Sequence, residues 1–162
     1  MTTPIPAGEL TQGQRVFAFA VMCVGMFIAL LDIQIVSASL RDIGGGLSAG
    51  SDEIAWVQTS YLIAEIIVIP LSGWLARVMS TRWLFCVSAT GFTLASLLCG
   101  SAWNIQSMIV FRVLQGFLGG SMIPMVFTTA FAFFQGPKVV VAAATIGALS
   151  SLAPTLGPTV GG

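Results

Sequence analysis

Five stretches of this chain are almost continuously apolar: residues 16–39, 54–75, 83–99, 108–129, and 139 onward. A run of about twenty apolar residues is the length of a membrane-crossing helix. Short polar or glycine-bearing links separate them. Residues 41–52 carry Gly44, Gly45 and Gly46; residues 76–82 carry Arg77 and Arg82; residues 100–106 are small and polar; residues 134–138 contain Gln135, Gly136, Pro137 and Lys138. Glycine and proline in such links mark turns. The pattern predicts an all-α integral membrane fold of about five transmembrane helices over residues 16–162, preceded by an N-terminal segment, residues 1–15.

The few polar residues inside the spans fall at helical spacing. Gly25, Asp32 and Ser39 recur every seventh position in the first span. Gln58, Tyr61, Glu65 and Ser72 keep a three, four, seven pattern in the second, and Arg112, Gln115, Gly116 and Gly119 form a stripe in the fourth. Each helix therefore carries one polar face. Lipid offers no hydrogen-bond partner, so these faces belong in a bundle interior or along a water-filled cavity. Gly116 and Gly120 also make a GxxxG pair, which lets a neighbouring helix approach closely.

Asp32, Glu65 and Arg112 carry the strongest functional signal. An ionisable side chain at the bilayer centre costs about 2.5 to 3.5 kcal/mol on insertion scales, so three in one short chain point to an ion or substrate pathway. At about 1.5 Å of rise per residue, Asp32 and Arg112 fall at similar depths and are expected to meet. Asp32 beside a guanidinium and Glu65, near mid-membrane with no charge of its own span nearby, are two carboxylates in opposed environments, which suits a site that takes up and releases protons. The bland alternative is a structural Asp32–Arg112 pair that fixes helix register, with Glu65 facing a polar gap.

Composition narrows the class. Hydrophobic residues make up 56% of the sequence and charged ones 7%, and the six cations balance the six anions. No basic patch for nucleic acid can be built from cations so scattered. The expected partners are the lipid bilayer, small solutes and other membrane helices. Cys23, Cys86 and Cys99 lie within spans at no metal-ligand spacing and the chain has no His, so neither a metal site nor a cofactor is expected. Without a nucleophile and base the chain is not expected to be an enzyme. With a cytoplasmic N-terminus, Arg15, Arg77, Arg82 and Lys138 fall inside and only Arg41 outside, as the positive-inside rule asks. A cleaved signal peptide ending near Ser37-Ala38-Ser39 competes with the first span. Its apolar run exceeds the usual signal core and carries Asp32.

The fifth span is unusual in its backbone. Gly147, Ser150, Ser151, Pro154, Gly157, Pro158 and Gly161 give it a small-residue, proline-bearing stripe. Each proline removes one helical hydrogen bond, so a bent, closely packing helix is expected. Pro124 is expected to kink the fourth span likewise.

Four segments, in order, resemble motifs of the major facilitator superfamily. Residues 153–162, Ala-Pro-Thr-Leu-Gly-Pro-Thr-Val-Gly-Gly, resemble the closing GPxxGG of its antiporter motif. Arg112-Val113-Leu114-Gln115-Gly116 looks like its fourth-helix RxxQG. Leu31-Asp32-Ile33-Gln34-Ile35-Val36, with Ser37 and Leu40, resembles the first-helix LDxTIVNVALP of the fourteen-helix drug/proton antiporter branch, the EmrB-type exporters. Ile69 to Arg77 is similar to the segment that leads into the second loop. There the usual GxLADRxGRR is altered, with Arg77 at the aspartate position and Ser80 at the later glycine position. The familiar charge network of that loop cannot form as written. Ser37, Arg41 and Ala153 also depart from the usual Asn, Pro and Gly.

The resemblance implies a fold and an activity. The fold is the N-terminal part of a major facilitator bundle, an incomplete six-helix half. The activity is proton-coupled efflux of drugs or other small hydrophobic or cationic compounds by alternating access. It implies proton-coupling roles for Arg112 and Asp32, with Gln115 and Gly116 completing the fourth-helix motif and Gly73 and Arg77 marking the second-loop motif. Pro154, Gly157, Pro158, Gly161 and Gly162 are expected to form a bend or tight contact between halves. The implied setting is a bacterial inner membrane. The implied partners are protons, a small-molecule substrate, the remaining helices of a longer transporter and, for the EmrB branch, a membrane-fusion adaptor and an outer-membrane channel. Five helices build neither the central cavity nor its moving partner, so the segment alone is not expected to transport. A small oligomeric exporter or channel subunit, and a non-catalytic membrane scaffold, are the alternatives.

Overall fold

The computed structural model describes residues 11–161. They form five helices: α1 (Gln12–Gly46), α2 (Ser51–Met79), α3 (Thr81–Gly100), α4 (Ile105–Phe133) and α5 (Pro137–Gly161). All five are long and apolar enough to cross a membrane. The fold is all-α and integral to the membrane, as the apolar runs predict. Most of the expected segment 1–15, and Gly162 of the closing motif, lie outside the described residues.

The helices outrun the apolar stretches, so the links are tighter than the polarity pattern suggests. α1 stays helical through Arg41, Asp42 and the run Gly44, Gly45 and Gly46. Glycine in a helix costs about 1 kcal/mol against alanine, but Gly44 is held by packing. A Cβ there would collide with the Ile54 side chain of α2. α2 runs to Met79 and turns into α3 at Ser80 alone, which takes a left-handed φ of 65°. Gly136 takes φ +61° just before α5, whose first residue is Pro137, where a missing N–H is harmless. The starts of α1 and α4 are capped. Thr11 accepts from the Gln14 backbone N–H at 3.4 Å, and Asn104 Oδ1 accepts from Ser107 N–H at 2.7 Å. The prolines do not end their helices, since α4 continues through Pro124 and α5 through Pro154 and Pro158.

α4 is the hub, packing on all four other helices and most extensively on α2. Its buried residues include Arg112, Gln115, Gly116, Gly119 and Gly120. The absence of side chains at the glycines is what admits α2. A Cβ on Gly116 would strike the backbone carbonyl of Tyr61, and one on Gly120 would lie 2.8 Å from Glu65 Cγ. The GxxxG expected to bring a neighbour close therefore does so, and the neighbour is α2. On the other side α5 packs on α1, with Gly157 against Gln34, and its Ala142, Ile146, Ala153 and Gly157 are buried. The core between the helices is filled by Met22, Met26, Phe85, Phe92, Met122, Met125 and Val126.

The outward faces are apolar, with Phe17 72% exposed and Ile66 68% exposed, a surface suited to lipid rather than to water. Four exposed tryptophans frame it. Trp56 and Trp103 lie at the end that holds the α1–α2 and α3–α4 links, and Trp74 and Trp83 at the opposite end. Tryptophan favours the two membrane interfaces. On α2 the separation from Trp56 to Trp74 is about 27 Å, close to the thickness of a hydrocarbon core of about 30 Å. Glu65 is nine residues from each, halfway between the two tryptophans along α2.

Two tests follow from this packing. Gly116→Leu forces α2 off α4 and is expected to cost about 3 kcal/mol or more, read as a drop in the thermal unfolding midpoint of detergent-purified protein. Gly147→Ala, whose added methyl meets open space, is expected to be neutral or slightly stabilising; equal losses for the two would refute the close helix contact. In single-tryptophan variants, lipids brominated near the headgroup should quench Trp56, Trp74, Trp83 and Trp103 best. Stronger quenching by bromines near the chain ends would contradict the two belts.

Candidate functional site

A cation with no water around it needs an anion, and the stripes on α1 and α4 supply one to the other. Arg112 is fully buried, and its Nη1 donates to Asp32 Oδ2 at 2.6 Å. The two residues are 80 positions apart in sequence, and only the antiparallel packing of α1 and α4 brings their similar depths together. Asp32 keeps 20% of its side chain accessible. The pair is therefore a fully enclosed guanidinium facing a carboxylate at the rim of the enclosed region.

Gln115 locks the pair in place. It sits one turn along α4 from Arg112, and all four hydrogen-bonding positions of its amide are used. Its Nε2 donates to Asp32 Oδ1 at 2.9 Å and to Ser96 Oγ of α3 at 2.8 Å. Its Oε1 accepts from Arg112 Nη1 at 2.6 Å and from Cys99 Sγ of α3 at 3.4 Å. Both carboxylate oxygens of Asp32 thus have a donor from α4. A buried network is worth keeping only when satisfied, and this amide is. From α2, the Tyr61 ring lies under Arg112, its centroid 4.6 Å from Cζ. Asp32 of α1, Tyr61 of α2, Ser96 and Cys99 of α3, and Gln115 of α4 itself all gather around one guanidinium.

A cavity of about 460 Å³ reaches the network, with Asp32, Arg112, Gln115, Ser96 and Cys99 among its lining. Val36, Ile43, Leu47 and Met108 make it apolar away from the charges, and Gly46, Gly100 and Ala102 carry it to the end with the α1–α2 and α3–α4 links. Asp32 is thereby open toward that end of the bundle. Polar groups at the base and this volume suit water or a small ligand. Among the described residues no cluster of His, Cys, Asp or Glu is arranged to hold a metal ion.

The remaining residues singled out in the sequence are dispersed. Glu65 is 8% exposed and lies against Gly120, eight positions along α4 from Arg112. Asp32, not Glu65, is the carboxylate that Arg112 pairs with. Gly116 is buried on the α2 contact. Gly73 and Arg77 are exposed toward the end of α2, and a Cβ on Gly73 meets nothing. Gly157 is buried, and a Cβ there would collide with Gln34 of α1. It makes a tight contact inside this bundle, while Pro154 and Pro158 are exposed. The four, seven, four spacing of the buried Ala142, Ile146, Ala153 and Gly157 puts them on one helical face and turns the exposed prolines off it. Gly161 ends α5. Sequence reasoning missed Ser96 and Cys99. Their spacing of three on one turn of α3 was a signal, but an isolated Ser and Cys in an apolar span give no sign of a partner.

Residues 22–162 match the family model described as Major Facilitator Superfamily. The chain is 50% identical over 144 residues to the colistin resistance protein EmrB of Acinetobacter baumannii, covering 89% of this chain and 28% of that protein. It is 38% identical to the fatty acid resistance protein FarB of Neisseria gonorrhoeae, covering 86% of this chain and 27% of that protein. It is 32% identical to the multidrug export protein EmrB of Escherichia coli, covering 94% of this chain and 30% of that protein. The chain therefore spans less than a third of the length of these relatives.

The pair and its network predict coupled energetics. Asp32→Leu strands a buried guanidinium and Arg112→Leu strands a carboxylate, each at about 3 kcal/mol, the low end for a broken buried pair because Asp32 is partly open. The double variant is expected to lose clearly less than the sum. Unfolding midpoints of the four proteins measure this, and strictly additive losses would contradict a shared pair.

Proposed function

The chain belongs to the major facilitator superfamily, and from that premise we propose that it forms the first five helices of a proton-coupled exporter. The substrates are drugs or other small hydrophobic or cationic compounds. The N-terminus lies in the cytoplasm of a bacterium and the helices cross its inner membrane. The observation that carries this reading is the fully buried Arg112 held against Asp32, since an isolated charge pair at this depth has a cost that packing alone does not justify.

Asp32 is the proton carrier in this reading. With the N-terminus inside, the end bearing the α1–α2 link faces outward, and the cavity connects Asp32 to that side. A proton arriving there neutralises the carboxylate, removes its attraction for Arg112 and changes its bonds to α4. Bound drug and proton then compete through the state of this pair, which is the differential interaction any coupled conformational change requires. Alternating access needs a second helical half, so the activity belongs to a longer protein that contains this segment. The names of the relatives, resistance and export proteins, support an efflux role. An adaptor protein and an outer-membrane channel complete the proposal for this branch. Glu65, at the midplane and among the described residues in no ion pair, is proposed as a second proton-exchanging carboxyl. Gly157 and the neighbouring prolines let α5 move against α1.

The test uses the full-length protein in vesicles, with proton release measured on addition of drug. Asp32→Asn and Arg112→Ala are expected to lower release at least a hundredfold while drug binding persists. Glu65→Gln is expected to reduce release as well; full release with an unchanged pH profile makes Glu65 structural. Retention of normal release by Asp32→Asn would remove the proposed carrier.

A further inference from the structure

Arg112 is bound unevenly. Both of its hydrogen bonds, to Asp32 and to Gln115, leave from Nη1. Nε and Nη2 are buried and have no hydrogen-bond partner. A guanidinium carries five N–H donors, and leaving buried ones unmet is costly. What stands against this guanidinium instead is the face of Tyr61. Tyr61 is itself fully buried, and its hydroxyl has no hydrogen-bond partner. The ring, not the hydroxyl, is the part in use.

The surrounding backbone is cut to admit that ring. A Cβ on Gly116 would strike the Tyr61 backbone, and one on Gly119 would lie 2.8 Å from the Tyr61 hydroxyl oxygen. Phe92 of α3 closes the same gap, 3.0 Å from that Gly119 position. α2 is thus pressed onto α4 at the level where Arg112 needs support. A desolvated cation over an aromatic face is attracted by the ring's quadrupole, and more strongly than one exposed to water. The titratable groups around the guanidinium are Asp32 from α1, Cys99 from α3 and, one turn along α2 from Tyr61, Glu65.

We propose that Tyr61 is a positioning residue for coupling: its aromatic face holds Arg112 in place while Asp32 is protonated. This rests on Asp32 being the proton carrier. When Asp32 is ionised, the carboxylate holds the guanidinium. When Asp32 takes up a proton, its charge is gone and Arg112 becomes a buried cation with no anion, the state that is most costly to maintain. The ring face is unaffected by that proton. It keeps the guanidinium beside Asp32 so that the same pair re-forms when the proton leaves. Without it Arg112 relaxes elsewhere, and drug movement proceeds without proton release.

The test places phenylalanine and its mono-, di- and trifluoro analogues at position 61 of the full-length protein. Fluorine withdraws charge from the ring face with little change of size. In vesicles, drug-driven proton release is read beside drug exchange under no proton gradient. Phe is expected to match Tyr, and each added fluorine to lower proton release stepwise, by about tenfold across the series, with exchange unchanged. Tyr61→Leu is expected to exchange drug with at least tenfold less proton release. A flat response across the fluorinated series, or loss of release and exchange together in every variant, would overturn the proposal. Absence of drug-driven release in the unsubstituted protein refutes the exporter reading itself and is distinguished at the first measurement.

Discussion

One buried charge organises this bundle. Arg112 has no contact with solvent, and hydrocarbon on the outside gives it no alternative partner. Every helix that could leave it uncompensated must instead contribute something. α1 supplies the carboxylate of Asp32, α2 the ring of Tyr61, α3 the Ser96 and Cys99 groups that orient Gln115, and α4 Gln115 itself. A change of charge at Asp32 is consequently felt by four helices at once. In the proposed exporter, that connection is what links a proton to a movement.

The arrangement depends on side chains that are missing. Gly116, Gly119 and Gly120 give α4 a bare face, and α2 lies on it with backbone against backbone. Membrane helices gain little from burying apolar area, because lipid is as apolar as the core, so close contact and hydrogen bonding must hold them together. Gly25 serves α3 in the same way, where a Cβ would lie 2.7 Å from the Phe85 ring, and Gly157 serves the α1–α5 contact. Small residues therefore position the polar network without taking part in it.

Much of this was legible in the sequence. Apolar runs gave five helices, and helical spacing with a fixed rise per residue put Asp32 and Arg112 at one depth. Both are local, periodic properties. The helices outlast their apolar runs, because polarity marks where a helix leaves the hydrocarbon and not where its hydrogen bonds stop; α1 continues through Arg41 and Asp42 for that reason. Ser96 and Cys99 gave no stripe of their own, and their role depends on which face of α3 meets Gln115. Tyr61 was visible as one member of a polar face, but its use as an aromatic surface depends on the glycines opposite it on another helix. Gly157 was expected at a contact between halves, and the direction it faces follows from the α5 register on α1.

The central claim is that the Asp32 carboxyl changes protonation when drug binds, and difference infrared spectroscopy of the carboxyl stretch observes this directly. Drug added to the purified full-length protein is expected to abolish a protonated-carboxyl band that is missing in Asp32→Asn and retained in Glu65→Gln. A band that persists unchanged in Asp32→Asn would assign the proton to another carboxyl, and the Asp32–Arg112 pair would then be a structural tie between α1 and α4.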